Sequence, residues 1–278
     1  MSQPGIVVGA AAPHNGCGPL IAPMSESLRP LRQRVFESVR AAGLIPRVQL
    51  AKDLGVSPAS VTTITSELIE SGLIEEVAAA RDNDIGRGRP SVALGVRPQA
   101  HLVAGMKMSD REQSAVIVDF AGNLLSDEVI LRPPGPLPLP EMLDAMEGLL
   151  NRVCQKAGVQ RHDLTSVGIG LPGFVDNAQG VVLWSSTLNA RNISLAEAAQ
   201  ARSGLPVSID NDANLVALAE LWFGAGRSLA DFAVVTFEHG VGMGFVMNHR
   251  IYRGSQGLGM ELGHIKVQLD GALCRCGQ

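Results

Sequence analysis

The tightest constraint on how this chain folds lies in residues 47–64. A small residue, Ala51, is followed by Gly55, then by Ser57-Pro58, then by Val61. Two helices approach closely only over a small side chain, which suits Ala51, and Gly55 supplies the positive φ of a tight turn. Ser57 caps the helix that follows, and Pro58 takes its first position, where a missing N–H costs nothing. Val61, Ile64 and Leu68 then turn toward a core, leaving Ser60, Thr62, Thr63 and Ser66 on other faces. This is the spacing of a helix-turn-helix whose second helix enters a DNA major groove. Upstream, Leu31, Val35 and Val39 recur every four residues and predict a first helix ending near Gly43. Downstream, Gly72-Leu73-Ile74 ends a helix and opens a strand, and Ser91-Val92-Ala93-Leu94 reads as its partner. Between them, Arg87-Gly88-Arg89-Pro90 sets two arginines on a glycine-flanked tip, suited to a narrow minor groove or, more plainly, a solvated basic hairpin.

The expected first domain is therefore a winged helix-turn-helix over residues 25–99, with operator DNA as partner. Its candidate contacts are Ser57, Pro58, Ala59, Ser60, Thr62, Thr63, Arg87 and Arg89. An interaction-only winged helix is the alternative. Bulk charge does not drive the binding: residues 25–100 carry ten basic and nine acidic side chains, and the whole chain has a net charge of −4. Affinity then comes from placed arginines and helix N-termini, and falls steeply with salt.

Residues 1–23 hold no Lys, Arg, Asp or Glu, and no basic region precedes the apolar stretch 6–12, so a secretory signal is not expected. Residues 1–24 read as a disordered tail, with Met24 an alternative start. No apolar run reaches the ~18 residues of a membrane span. Four cysteines in 278 residues do not make a secreted disulfide scaffold. A cytoplasmic protein with no membrane partner is expected. Aromatic residues make up 4%, which argues against a binding platform of stacked rings.

From about residue 100 the pattern becomes α/β. Residues 115–124 read as a strand, a turn and a returning strand. Pro133, Pro134, Pro136, Pro138 and Pro140 form a rigid connector. Met142, Met146, Leu149, Leu150 and Val153 mark an amphipathic helix, with Cys154 a core thiol. Residues 167–173 form a buried strand running into a tight loop, and residues 206–212 a strand ending in acids ahead of another helix.

Four motifs in the body occur in a characteristic order: Gly170-Leu171-Pro172-Gly173, Asp210-Asn211-Asp212-Ala213-Asn214, Glu238-His239-Gly240-Val241-Gly242-Met243-Gly244, and Glu261-Leu262-Gly263-His264. With them the chain resembles the ROK family of repressors, open reading frames and sugar kinases, in its winged-helix repressor branch, over roughly residues 28–278. The resemblance implies an actin-like, hexokinase-like (ribonuclease H-like) two-lobed α/β body over residues 100–278, with a sugar in the cleft. Gly173, Asn211, Asp212, Glu261 and His264 are the implied sugar contacts. Asn211 and Asp212 also suit a plain helix cap, and the two roles coexist. Thr187 stands where the family often has a sugar-binding asparagine.

Family kinases open the body with Asp-x-Gly-Gly-Thr, whose glycines let backbone N–H groups approach ATP phosphates. Here that place is Lys107-Met108-Ser109-Asp110-Arg111. The second phosphate loop keeps Gly240, Gly242 and Gly244, but begins Glu238-His239. A phosphate cradle needs close backbone approach without an anionic neighbour, so no kinase activity is expected, and Asp212 is a vestigial base. The resemblance further implies structural zinc on His264, Cys274 and Cys276. The chain reaches Gln278 before the family's fourth cysteine, and neither Cys17 nor Cys154 is placed to substitute. The expected zinc site is incomplete, and so is the second lobe. Apolar faces such as that of Phe232–Phe237 then lack cover.

The function these features favour is a sugar-responsive transcriptional regulator of carbohydrate metabolism genes, a repressor acting as a homodimer or higher oligomer. A sugar kinase with a fused DNA-binding domain and a truncated, ligand-blind DNA binder are the alternatives.

Overall fold

The computed structural model describes residues 16–20, 29–78, 92–238, 240–254, 261–266, 268 and 271. These fall into two compact units, one of residues 16–17 and 29–97, the other of residues 18–20 and 98 onward.

The first unit opens with α1 (Leu31–Ala42), β1 (Leu44–Pro46), α2 (Arg47–Leu54) and α3 (Pro58–Glu70). It closes with β2 (Ile74–Ala78) and β3 (Val92–Val96), and the strands pair antiparallel in the order β1-β3-β2. Gly55 ends α2 at φ +64, and the Ser57 hydroxyl accepts from the Ser60 N–H at 3.1 Å. Val35 and Val39 from α1, Leu50 and Ala51 from α2, and Val61 and Leu68 from α3 are buried together with Ile74 and Leu94. One core position differs from expectation. Ile64 is only half-buried, whereas Thr65 is fully enclosed. Its hydroxyl accepts from Arg47 Nε at 3.0 Å and donates to the Thr62 carbonyl at 3.2 Å, so burial leaves no polar atom unsatisfied. Arg47 also reaches Glu76 at 2.8 Å, tying α2 to the wing.

Cys17 also departs from expectation. It belongs on sequence to a disordered tail, but here it is buried, and its N–H donates to the Arg40 carbonyl at 3.0 Å. The last carbonyls of a helix lack intrahelical donors, and this segment supplies one.

In the second unit, β4 (Leu102–Met108), β5 (Glu112–Asp119) and β6 (Leu124–Leu131) form an antiparallel meander. Asp119 holds the β5–β6 turn by accepting from the Ala121 and Asn123 N–H groups, each at 2.9 Å. Next come α4 (Leu139–Ala157), β7 (Leu164–Leu171), the small hairpin β8 (Phe174–Asp176) and β9 (Val181–Trp184), α5 (Leu195–Ser203) and β10 (Val207–Asn211). The main sheet has the order β10-β7-β4-β5-β6, with β10, β7 and β4 mutually parallel. The expected connector ends earlier than Pro140: Pro138 is the N-cap of α4, and Pro140 lies in its first turn, where proline is tolerated. The buried stripe of α4 is Met142, Met146, Leu149, Leu150, Val153 and Cys154, packed with Met106, Ile117 and Ile169 of the sheet.

The chain continues through α6 (Asp212–Phe223) to a second sheet of β11 (Phe232–Phe237), β12 (Val241–Met247) and β13 (Arg250–Ile251). One face of this sheet packs on α6, where Phe232, Val234 and Val246 meet Ala217 and Leu221. The other carries Val235, Phe237 and Val241, all exposed. The sheet is thus apolar on both sides and, among the described residues, covered on one. The segment of Gly18 and Leu20, also expected in the tail, donates to the carbonyls of Trp222 and Arg227 at 2.7 and 2.8 Å.

Candidate DNA-reading helix and sugar site

On α3, Ser57, Pro58, Ala59, Thr62 and Thr63 are exposed and Ser60 is half-buried. The hydroxyls are not free rotors. Ser57 and Ser60 share a hydrogen bond of 2.8 Å, and Thr62 and Thr63 donate back to the carbonyls of Pro58 and Ala59 at 2.9 and 3.2 Å. A threonine whose proton is spent on its own helix offers lone pairs and a methyl outward. Those features suit a base amino group and a thymine methyl. Arg87 and Arg89, the expected minor-groove contacts, lie outside the described residues.

In the body, the carboxyl ends of the parallel strands bring the other candidates together. Beyond β7, Gly173 has φ +119, and a Cβ there would overlap the Trp184 carbonyl, so only glycine fits. Its own carbonyl accepts from Asn211 Nδ2 at 2.9 Å. Asn211 caps α6, its Oδ1 accepting from the Ala213 and Asn214 N–H groups at 2.8 and 3.3 Å. The second amide hydrogen of Asn211 remains for a ligand. Capping and ligand contact are therefore compatible in one side chain.

Asp212 is the first residue of α6. Burial pushes its carboxyl above the usual aspartate range, and the charge of Glu238 adds to that rise; the Ala213 N–H and the charge of Lys107 oppose it. Glu261 is also raised, by burial first and by the charge of Asp212, while His264 pulls it down. The Glu261 carboxylate lies 3.8 Å from His264 Nε2. The His264 ring sits 6.1 Å from that of Phe174, next to Gly173 in sequence. Gly173, Asn211, Asp212, Glu261 and His264, separated by up to 91 positions in the chain, thus form one constellation of donors and acceptors. A polyol needs such a set, because each hydroxyl both donates and accepts.

Thr187 contributes nothing to that set. It is fully buried, its hydroxyl 2.8 Å from that of Ser185, which in turn donates to the Pro172 carbonyl. Three contacts beside the site escape a reading of the sequence. Asp210, buried beside Asn211, accepts from Arg253 Nε and one terminal nitrogen at 2.9 and 2.6 Å. Lys107 Nζ donates to both oxygens of Glu238 at 3.0 and 3.1 Å. Phe174 sits beside the His264 ring. The partners in the two ion pairs lie 43 and 131 residues apart, beyond any local periodicity.

Comparison with known proteins follows the same division. The ROK family profile matches residues 103–278, and a winged helix-turn-helix DNA-binding profile matches residues 28–75. The chain belongs to the ROK family. The chain is similar to the DNA-binding transcriptional dual regulator NagC of Escherichia coli, 30% identical over 246 residues, 87% of this chain and 59% of NagC. A solved ROK family transcriptional regulator, a homologue of the E. coli MLC protein, superposes with a TM-score of 0.70 at 31% identity, over 89% of this chain and 62% of that one. A ROK family glucokinase from Streptomyces griseus, solved with glucose and AMPPNP, gives 0.57 at 33% identity, over 64% and 54%. The chain spans about three fifths of the length of the curated relatives it matches.

Of the zinc ligands that the ROK resemblance implies, His264 is described, while Cys274 and Cys276 lie outside the described residues. Among the described residues no group of three His, Cys, Asp or Glu is placed to hold a metal, and no helix is long and apolar enough to cross a membrane.

Proposed function

We propose that this chain is a sugar-responsive, DNA-binding transcriptional regulator, a repressor of carbohydrate genes that works in the cytoplasm as a homodimer or higher oligomer. The observation that carries the reading is the pairing, in one chain, of a capped, exposed α3 with the Gly173–Asn211–Asp212–Glu261–His264 constellation. A ligand that binds one state of the body better than another shifts operator affinity by the same free energy that DNA shifts ligand affinity. Fluorescence anisotropy of the purified chain on its own upstream DNA, titrated with a panel of sugars at fixed salt, tests this. Specific binding that one sugar alters is the expected result; binding that ignores every sugar removes the sensor half of the proposal.

Phosphoryl transfer is not part of it. Asp212 would stand in the place of a kinase base. The first phosphate loop, however, reads Lys107-Met108-Ser109-Asp110-Arg111, with Asp110 carrying negative charge where phosphates would lie, and the second begins Glu238-His239. The alternative, a sugar kinase with a fused DNA-binding domain, draws on the likeness to the glucokinase. ADP release from ATP and glucose above a buffer blank would establish it.

Zinc on His264, Cys274 and Cys276 belongs to the same proposal. Imidazole and thiolates are zinc donors, and Glu261 beside His264 is the kind of carboxylate that orients a ligating ring. Bound zinc would fix the Glu261–His264 rim of the sugar site. Elemental analysis of chain purified under reducing conditions checks it, with close to one zinc per chain expected and none overturning it.

A further inference from the structure

Asp210, in register with Gly170 of β7, has a side chain only 5% exposed, and its carboxylate collects four hydrogen bonds. Oδ1 accepts from the Asn211 N–H at 2.8 Å and from Asn214 Nδ2 at 3.0 Å. Oδ2 accepts from Arg253 Nε at 2.9 Å and from a terminal nitrogen of the same guanidinium at 2.6 Å. The donors come from two pieces of chain, and each carries candidate sugar contacts. Asn211 and Asn214 belong to the junction of β10 and α6. Arg253 belongs to the stretch that follows β13 and leads on to Glu261 and His264. Among the described residues, Arg253 is the one partner of Asp210 from outside the β10–α6 junction.

Asn211 is the residue on which this arrangement acts. Its N–H is held by Asp210, its Oδ1 by the Ala213 and Asn214 N–H groups, and one hydrogen of Nδ2 by the Gly173 carbonyl. One amide hydrogen is left for a ligand. Its direction depends on the backbone bond to Asp210, and Arg253 sets how the Asp210 carboxylate is turned. Charge-assisted bonds fix an acceptor more firmly than neutral ones. Without Arg253, a buried carboxylate would have only two neutral donors, on its other oxygen, and would be drawn away from its present position.

We infer that Arg253 is a positioning residue of the sugar site, aiming the ligand-facing amide of Asn211 through Asp210. This rests on the sugar-binding reading above. The hydrogen bonds of Arg253 go to Asp210, so it acts at one remove from the ligand. A residue that only ties two segments together would weaken binding by loosening the body, whatever stands at position 211. One that aims Asn211 must lose its effect once no amide is there to aim.

Calorimetric titration of the full chain with glucose, N-acetylglucosamine and xylose separates these roles. It is run on wild type, Arg253→Met and Arg253→Lys, and on each of these combined with Asn211→Ser. Serine keeps a capping oxygen and removes the amide. The sugar that wild type binds best is expected to bind about ten-fold more weakly to Arg253→Met. The loss should be about three-fold in Arg253→Lys, which keeps the charge and the fold but offers Asp210 one nitrogen in place of two. In the Asn211→Ser background neither change should cost more than about two-fold further. Absence of binding to all three sugars in wild type overturns the sugar reading and the inference with it. Wild-type affinity in both Arg253 variants, or equal losses in the two backgrounds, overturns the inference alone. NMR of the isotope-labelled chain without sugar gives a second reading. The Asn211 side-chain amide signals, identified by their absence from Asn211→Ser, are expected to shift in Arg253→Lys. Signals that stay in place overturn the inference.

Discussion

The candidate DNA-reading helix and the candidate sugar site solve opposite problems with polar groups. At the start of α3 the hydroxyls are satisfied by partners three or four residues away, Ser57 by Ser60, Thr62 by Pro58 and Thr63 by Ala59. The face it presents is small, neutral and preformed. In the body the partners lie far apart in sequence, Asn211 on Gly173, Asp210 on Arg253 and Lys107 on Glu238, and two carboxyls are held in surroundings that raise them. A surface that reads a regular duplex can be built from one helix. A site of the kind proposed for a small polyol draws on many turns of chain, and its buried acids carry a desolvation cost that a ligand's hydroxyls would offset.

This contrast is most sharply broken at Gly173. Substitution to alanine puts a Cβ into the Trp184 carbonyl at φ +119, a conformation that L side chains rarely adopt. Strain and overpacking together are expected to destabilise the body by about 3 kcal/mol. Sugar response should vanish with it. Urea denaturation followed by tryptophan fluorescence reads the body, since Trp184 and Trp222 both lie there. The winged helix, whose glycine at 55 has open space around it, should keep its transition unchanged.

The counterpart on the DNA-binding side is Thr65→Val. It is close to isosteric but removes the acceptor of Arg47 and the donor to Thr62 inside a closed core. The expected loss is about 1–2 kcal/mol, moderated because Arg47 retains Glu76. A loss confined to the winged-helix transition confirms that the units respond separately; an equal loss in both would collapse the distinction.

What was legible in advance follows the same line. Ala51, Gly55, Ser57, Pro58 and Val61 specify their turn through near neighbours, so spacing alone locates it. The α4 stripe from Met142 to Cys154 is legible for the same reason. Thr65 was not, because its burial depends on Arg47 arriving from another helix, and the helical period at that position points equally to Ile64. Residues 16–20 of the expected tail differ from it for a related cause. An uncharged segment reads as disordered until the helix carbonyls it serves, those of Arg40 and Trp222, are in place. In the cleft, the family motifs named Asn211, Asp212, Glu261 and His264, and an absence flagged Lys107. Its pairing with Glu238, and that of Arg253 with Asp210, are products of the fold.

A smaller effect is expected at the cap. Ser57→Ala deletes the acceptor for the Ser60 N–H and should cost about 1 kcal/mol. It frays the end of α3 where Pro58 and Ala59 would approach DNA. Operator affinity should weaken at every salt concentration with the same slope, because no charge is lost. A changed slope in the anisotropy titration would mean that Ser57 acts through phosphate contacts instead.

The smallest change is at Asp212, and its sign is opposite. Burial is the leading cause of its raised pKa, so the folded state binds a proton more tightly there than the unfolded chain does. That contribution to stability is fully present below the ordinary aspartate pKa of about 4 and is lost as pH rises through the higher folded value. At neutral pH, wild type therefore bears a cost that Asp212→Asn does not. The variant is expected to be more stable by about 0.5 kcal/mol at pH 7 while losing its sugar response, the usual exchange at a functional carboxylate. The difference should shrink as pH falls toward 4, when the wild-type carboxyl is neutral too. Thermal unfolding of the body at several pH values checks it. A variant less stable than wild type at neutral pH would mean that the Ala213 N–H and Lys107 outweigh burial, and Asp212 would then resemble the satisfied side chains of α3.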